Sequence, residues 1–272
     1  MTHSTARAEP MTSNPSAPTA SVIDRWIFVF MAVWFIAITL TGFIPDSLLK
    51  IAAVEAGQRP PFPMVLHAHA VLMGSFLLLL LAQTLLVATG RQAMHERLGP
   101  IGAVLAAALV VVGIVLVPTM YQSVWGALQA APQEAQAGIR QGLREFDNIM
   151  LLQIRIGFLF PVFISIALLA RRRDSGLHKR MMFLAVAMAL PAAFDRMTWL
   201  PTSLPDGPLT TDLYPLVALA PMFIWDLVRM RTVHKAYLIG LAIAVPTSLV
   251  VHALWGAEWW HTMAPRLVGV AP

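Results

Sequence analysis

The chain is 272 residues long, 58% hydrophobic and only 12% charged, with no cysteine and a net charge of +5. A soluble domain carries about 25% charged residues, so this composition excludes one and points to a membrane protein. The missing cysteine excludes disulfides, thiolate metal sites and a cysteine nucleophile. The positive balance reads as membrane topology, with no nucleic-acid partner implied.

Residues 1–20 are rich in Ser, Thr, Pro and Ala, hold no apolar run, and are read as a disordered tail. The run Trp26–Ile44 is too long for a signal-peptide core and lacks small residues before a cleavage point, so it is the first span. Further spans are expected at Met64–Ala88, Leu98–Val117, Ile149–Ala170, Met181–Leu200, Leu213–Val228 and Ala236–Leu254. Each is near the ~20 residues that cross a bilayer core. Between spans three and four, Pro132–Phe146 carries Glu134, Arg140, Arg144 and Glu145 and is expected as a separate amphipathic interfacial helix. The expected fold is all-α: a polytopic membrane helix bundle of seven transmembrane helices over residues 21–260, then a short C-terminal tail, 261–272.

Loop charge gives an orientation. Arg7, Arg25, Arg91, Arg97, Arg171, Arg172, Arg173, Lys179, Arg180, Arg229, Arg231 and Lys235, twelve of nineteen Lys and Arg residues, fall on one side. The positive-inside rule makes that side cytoplasmic, with the N-terminus inside and the C-terminus outside. Trp125, Trp199, Trp255, Trp259 and Trp260 fall near the outer span ends, as an aromatic belt does.

Counting ~1.5 Å of rise per residue from the basic loops places most span-borne polar groups in the outer half. These are His67 and His69, Tyr121 and Gln122, then Asp147, Asn148, Gln153 and Arg155, then Asp195, Arg196 and His252. Matched depth suggests that Asp195 pairs with Arg155, because a charge buried in lipid needs a partner. Asp226 is expected to pair locally with Arg229, three residues on. His67 and His69 diverge by ~200° on a regular helix, so they face one ion together only if the segment after Pro61 and Pro63 is irregular. A metal set of His67, His69 and His252 follows, or a cofactor site shared by His69 and His252. Near the basic side, His95, His178 and His234 each neighbour a Lys or Arg and suit lipid phosphates. Alternatively two of them, His95 and His178, ligate a haem iron.

The stretch HAHAVLMGSFLLLLLAQTLLVATGRQAMHERLG, with LHKRMMFLAVAMALPAAFDR later, resembles a family of bacterial multi-spanning membrane proteins of unknown function. Its members carry an H-x-H span start, a loop H-x-R-L-G and a later H-K-R. The resemblance covers Pro61–Gly102 and Leu177–Arg196 and implies that His67, His69, His95, Arg97 and His178 belong to a shared pattern. The chain is also loosely similar to cytochrome b561-type bundles, which implies haem held by histidines of successive spans.

Three functions are consistent with these residues. The first is a redox-active membrane protein binding haem b or a transition-metal ion, with quinol or a small periplasmic or lipid molecule as partner. The second is a metal-dependent enzyme acting on a lipid, with His67, His69 and His252 on the ion, Asp195 or Asp147 as base or ligand, and Asp195 and Arg155 as the catalytic candidates. The third is a non-enzymatic transporter or sensor, against which stands the lack of a visible inverted repeat or broken helix pair.

Overall fold

A computed structural model describes residues 22–270, and every regular element among them is helical. The tail 1–20 and Arg7 lie outside the described residues. In chain order the helices are α1 (Val22–Glu55), α2 (Met64–Ala88), α3 (Gln92–Ala130), α4 (Gln133–Ala170), α5 (Ser175–Ala187), α6 (Pro191–Phe194), α7 (Leu209–Met230), α8 (Lys235–Leu254) and α9 (Glu258–Leu267). With α5 and α6 taken as one span, seven are long and apolar enough to cross a membrane. The chain is an all-α, multi-pass membrane bundle.

Polar contacts fix which helix ends lie together. Arg25 on α1 donates to the Ala88 carbonyl at the end of α2, at 2.7 Å. Asp24 accepts from Arg229 and Trp225 near the end of α7, at 2.9 and 3.1 Å. Lys235, opening α8, pairs with Asp174, the N-cap of α5, at 2.6 Å. The starts of α1, α5 and α8 therefore share one end with the finishes of α2 and α7, and this end carries the basic loops. We call it the basic end, and the opposite one the far end.

The α5–α6 span is the most deeply buried of the seven and forms the axis of the bundle. Its backbone stops being helical at 188–190, and Pro191, which has no N–H to offer the preceding turn, opens α6. The span expected over Met181–Leu200 is present, and it runs over Ser175–Phe194. α1 lies so close to α6 that a Cβ on Gly42 would sit 2.1 Å from the Ala193 carbonyl oxygen; only glycine fits. The main core then runs through Phe35, Phe76, Phe160, Phe163 and Phe183, with Phe76 and Phe160 meeting edge-on at 5.7 Å.

Two further expectations change. Pro132–Phe146 is not a separate interfacial helix: its residues from Gln133 onward form the first third of α4, which runs unbroken for 38 residues. α3 likewise continues past Val117 to Ala130, for 39 residues. At ~1.5 Å per residue each is ~57 Å long, against ~30 Å of hydrocarbon. The far portions of α3 and α4 form a hairpin, and α9 packs on it through a second core that includes Leu128, Leu143, Trp260 and Ala264. Most of the presumed tail 261–272 is thus the body of α9.

Candidate functional site

At the basic end, His95 in the first turn of α3 and His178 in the first turn of α5 bring their rings to 6.4 Å between centroids, with planes 75° apart. His178 Nδ1 is 2.8 Å from the carbonyl of Ala167. That carbonyl lies in the last turn of α4 and can only accept, so His178 is the donor. The contact assigns the Nδ1 proton to His178 and leaves its Nε2 lone pair free. His95 Nδ1 is buried without a hydrogen-bond partner, as is Gln83 Oε1 toward the same end of α2. Nearby, Lys235 and the Leu177 amide hold the Asp174 carboxyl below the usual carboxylate range. Burial pushes the His234 imidazole down, while its Nδ1 caps α8 by accepting from the Ala236 amide at 3.1 Å.

Deeper on the same side, Arg180 holds Asp226 through two hydrogen bonds, 2.6 Å from Nε and 2.5 Å from Nη2. Tyr237 donates to the same carboxylate at 2.5 Å. The expected local pair of Asp226 with Arg229 is replaced by this interhelical one, and Arg229 goes to Asp24 instead. A bidentate fork satisfies a buried carboxylate better than one neighbour on the same helix surface does.

At the far end the expected Asp195–Arg155 pair does not form. Arg155 Nη1 bonds Asp212 at 2.5 Å, and Asp195 sits exposed at the end of α6, in no ion pair among the described residues. Arg196 reaches Asp46 on α1 at 3.1 Å. The two residues proposed as catalytic are therefore not brought together. Asp212 instead gathers three donors: Arg155 on one oxygen, and Ser248 (2.7 Å) and His252 Nε2 (2.8 Å) on the other.

The outer histidines separate as well. His67 is exposed, edge-on to Phe62 at 6.2 Å. His69 begins the interior face of α2 that continues through Leu72, Met73 and Phe76, and its Nδ1 is buried without a partner. His252 is committed to Asp212. Among the described residues no group of three or more His, Asp or Glu side chains is placed to hold a metal, so the set His67, His69 and His252 is not assembled. Regular helix from Met64 onward explains this: the irregular start that would have aimed both histidines at one point ends at Pro63.

One buried network was missed in the sequence. His261 on α9 lies 2.9 Å from Asp147, whose other oxygen accepts from Tyr121 at 2.7 Å, and Trp260 donates to the Asp147 backbone carbonyl at 2.7 Å. The only signal was a histidine in an aromatic cluster, EWWH, read as an aromatic belt. At its rim Arg144 donates to Glu258 and holds that carboxyl below its ordinary range.

Fold and contacts together define a multi-pass helical membrane protein, with seven candidate spans among the described residues and buried polar sites at both ends. No protein-family model, no curated protein and no solved structure matches the chain.

Proposed function

We propose that this chain is a haem-binding, redox-active protein of the bacterial inner membrane, in which His95 and His178 would hold the iron near the cytoplasmic face. The observation that carries the reading is the meeting of these two imidazoles from different helices, 6.4 Å between ring centres. Two metal–nitrogen bonds of about 2 Å each, plus the half-widths of two five-membered rings, add up to about this separation. The donor chemistry also fits. His178 gives its Nδ1 proton to a backbone carbonyl, the usual arrangement that orients a ligating imidazole and raises its basicity. His95 has a buried ring nitrogen that nothing in the chain satisfies, a costly state for an imidazole without a further partner. A bis-imidazole haem supplies a one-electron iron couple. A bare transition-metal ion is less well served, since no third His, Asp or Glu side chain joins the pair among the described residues.

The test is the absorption spectrum of the purified full chain, produced with haem precursor in the medium. Reduction with dithionite should give a sharp Soret band and an α band. His95→Ala and His178→Ala should each lose it, while His69→Ala and His252→Ala keep it. A parent protein without a Soret band, or a band that survives both basic-end substitutions, would overturn the assignment.

A further inference from the structure

A second site stands apart from the imidazole pair. At the basic end, α1, α5 and α7 enclose a cavity of about 320 Å³, within the range of ordinary ligand pockets. Its charged wall is Asp24 from α1, Lys179 and Arg180 from α5, and Asp226 and Arg229 from α7. Ile27, Phe28 and Met230 supply an apolar side. Asp24 is the third residue of α1, Lys179 the fifth of α5 and Arg229 the last but one of α7. The cavity therefore lies at the helix ends, the level of lipid headgroups in a bilayer. Trp26 on α1 and Ile224 and Val228 on α7 are exposed beside it, a surface that lipid covers.

Both carboxylates are already engaged. Asp226 accepts twice from Arg180 and once from Tyr237, and Asp24 accepts from Arg229 Nε and Trp225. The donors are not. Lys179 makes no hydrogen bond or ion pair among the described residues, and its Nζ keeps accessible surface. That Nζ stands 4.5 Å from the centre of the Phe28 ring, with the Arg180 guanidinium carbon 5.9 Å from the same ring. A ring face compensates an ammonium only partly, and an ammonium has three N–H groups to place. Arg229 adds Nη1 and Nη2, neither bonded among the described residues. Two cationic donor groups thus border one cavity, and charged donors bond anionic oxygens best. The three cations and two carboxylates of the wall leave a single positive charge. A phosphodiester carries one negative charge and offers oxygens to both donors. A zwitterionic headgroup brings its own ammonium and leaves the excess uncompensated.

We propose that this cavity holds the phosphate of an anionic phospholipid, with Lys179 and Arg229 donating to its oxygens. The apolar side of the wall takes the glycerol end, and the acyl chains lie along the exposed faces of α1 and α7. A free phosphate shares the headgroup's chemistry but has no hydrocarbon for Ile27, Phe28 and Met230 to cover. The proposal stands on residues other than those of the haem reading, and either can fail without the other.

The experiment places the full chain in nanodiscs of phosphatidylcholine with a minor fraction of phosphatidylglycerol, and native mass spectrometry counts the lipids that the released protein retains. The parent should keep phosphatidylglycerol in preference to phosphatidylcholine, at one saturable site. Lys179→Gln breaks no ion pair and should weaken that retention about tenfold, the loss expected for one hydrogen bond from a charged donor. Arg172→Gln removes an exposed loop cation at the same end, outside the cavity, and should leave retention unchanged. Added phosphatidylglycerol should also raise the thermal midpoint of the parent more than that of Lys179→Gln, because a ligand that binds only the folded state stabilises it. Excess inorganic phosphate should not displace the lipid; displacement would assign the site to a soluble phosphate and overturn the proposal. Equal retention of the two lipids, an equal effect of Arg172→Gln, or unchanged retention by Lys179→Gln would overturn it as well.

Discussion

The Arg180–Asp226 pair offers the most direct check on how the bundle is held together. Both side chains are almost wholly buried, 8% and 6% exposed, and the carboxylate also accepts from Tyr237. Asp226→Ala strands the guanidinium among apolar helices. Removing one partner of a buried pair costs about 3–5 kcal/mol, because the remaining charge keeps its desolvation penalty and loses its compensation. At roughly 2–4 °C per kcal/mol for a chain of this size, the midpoint should fall by about 6–20 °C. Replacing both, Arg180→Met with Asp226→Leu, removes the two charges together and should restore most of the loss, since apolar substitutes of similar volume are often neutral. Tyr237→Phe should cost about 1.5–3 kcal/mol, one hydrogen bond to a charged acceptor. Thermal unfolding followed by intrinsic tryptophan fluorescence, at fixed detergent concentration, measures all three variants, and adding the single substitutions Arg180→Met and Asp226→Leu closes the cycle that isolates the pairwise energy. The reasoning is refuted if Asp226→Ala unfolds within about 1 kcal/mol of the parent. It is equally refuted if the double variant is no more stable than the single one.

Two other outcomes are expected. Tyr121→Phe takes one of two side-chain donors from the buried Asp147 and should cost about 1–3 kcal/mol; hydrogen exchange should show α9 amides losing protection first, and unchanged exchange there would refute a role for the network in docking α9. Reporter fusions at Ser175 and at the C-terminus test the orientation that the basic loops imply: cytoplasmic activity at Ser175 and external activity at the C-terminus are expected, and the reverse pattern would invert the map.

The spans were legible because an apolar run of bilayer length has few other uses, and the basic loops marked which ends belong together. Pairings were not. Depth along a helix placed Arg155 near Asp195, but depth says nothing about which helix stands beside which; Asp212 was equally available and was read as a loop residue. Asp226 shows the same gap from the other side, since a partner three residues away on its own helix looked sufficient until Arg180 was seen across the interface. Hydropathy also ended α3 and α4 too early, because Thr119–Ala130 and Gln133–Asn148 leave the apolar range while remaining helical. His261 stayed invisible because its partners, Asp147 and Tyr121, lie more than a hundred residues upstream. The basic-end imidazoles His95 and His178 stood out in the sequence only because each lies beside a Lys or Arg near the basic side.

The long hairpin of α3 and α4 has a consequence for how this chain responds to its surroundings. Roughly half of each helix exceeds the hydrocarbon thickness, so the far-end core around Leu128, Leu143 and Trp260 assembles in contact with water while the core around Phe76 and Phe160 assembles in lipid. Burying a leucine away from water releases about 25 cal/mol per Å². Moving one from lipid tails into a helix interface gains only packing, since the tails are as apolar as the side chain. Two solvents thus set two different rules within one polypeptide. Urea, cold and pressure act on the hairpin and α9 through the hydration of apolar surface and leave the lipid-facing helices largely indifferent. Lipid composition acts the other way round. Denaturant and lipid composition therefore probe different parts of the same chain.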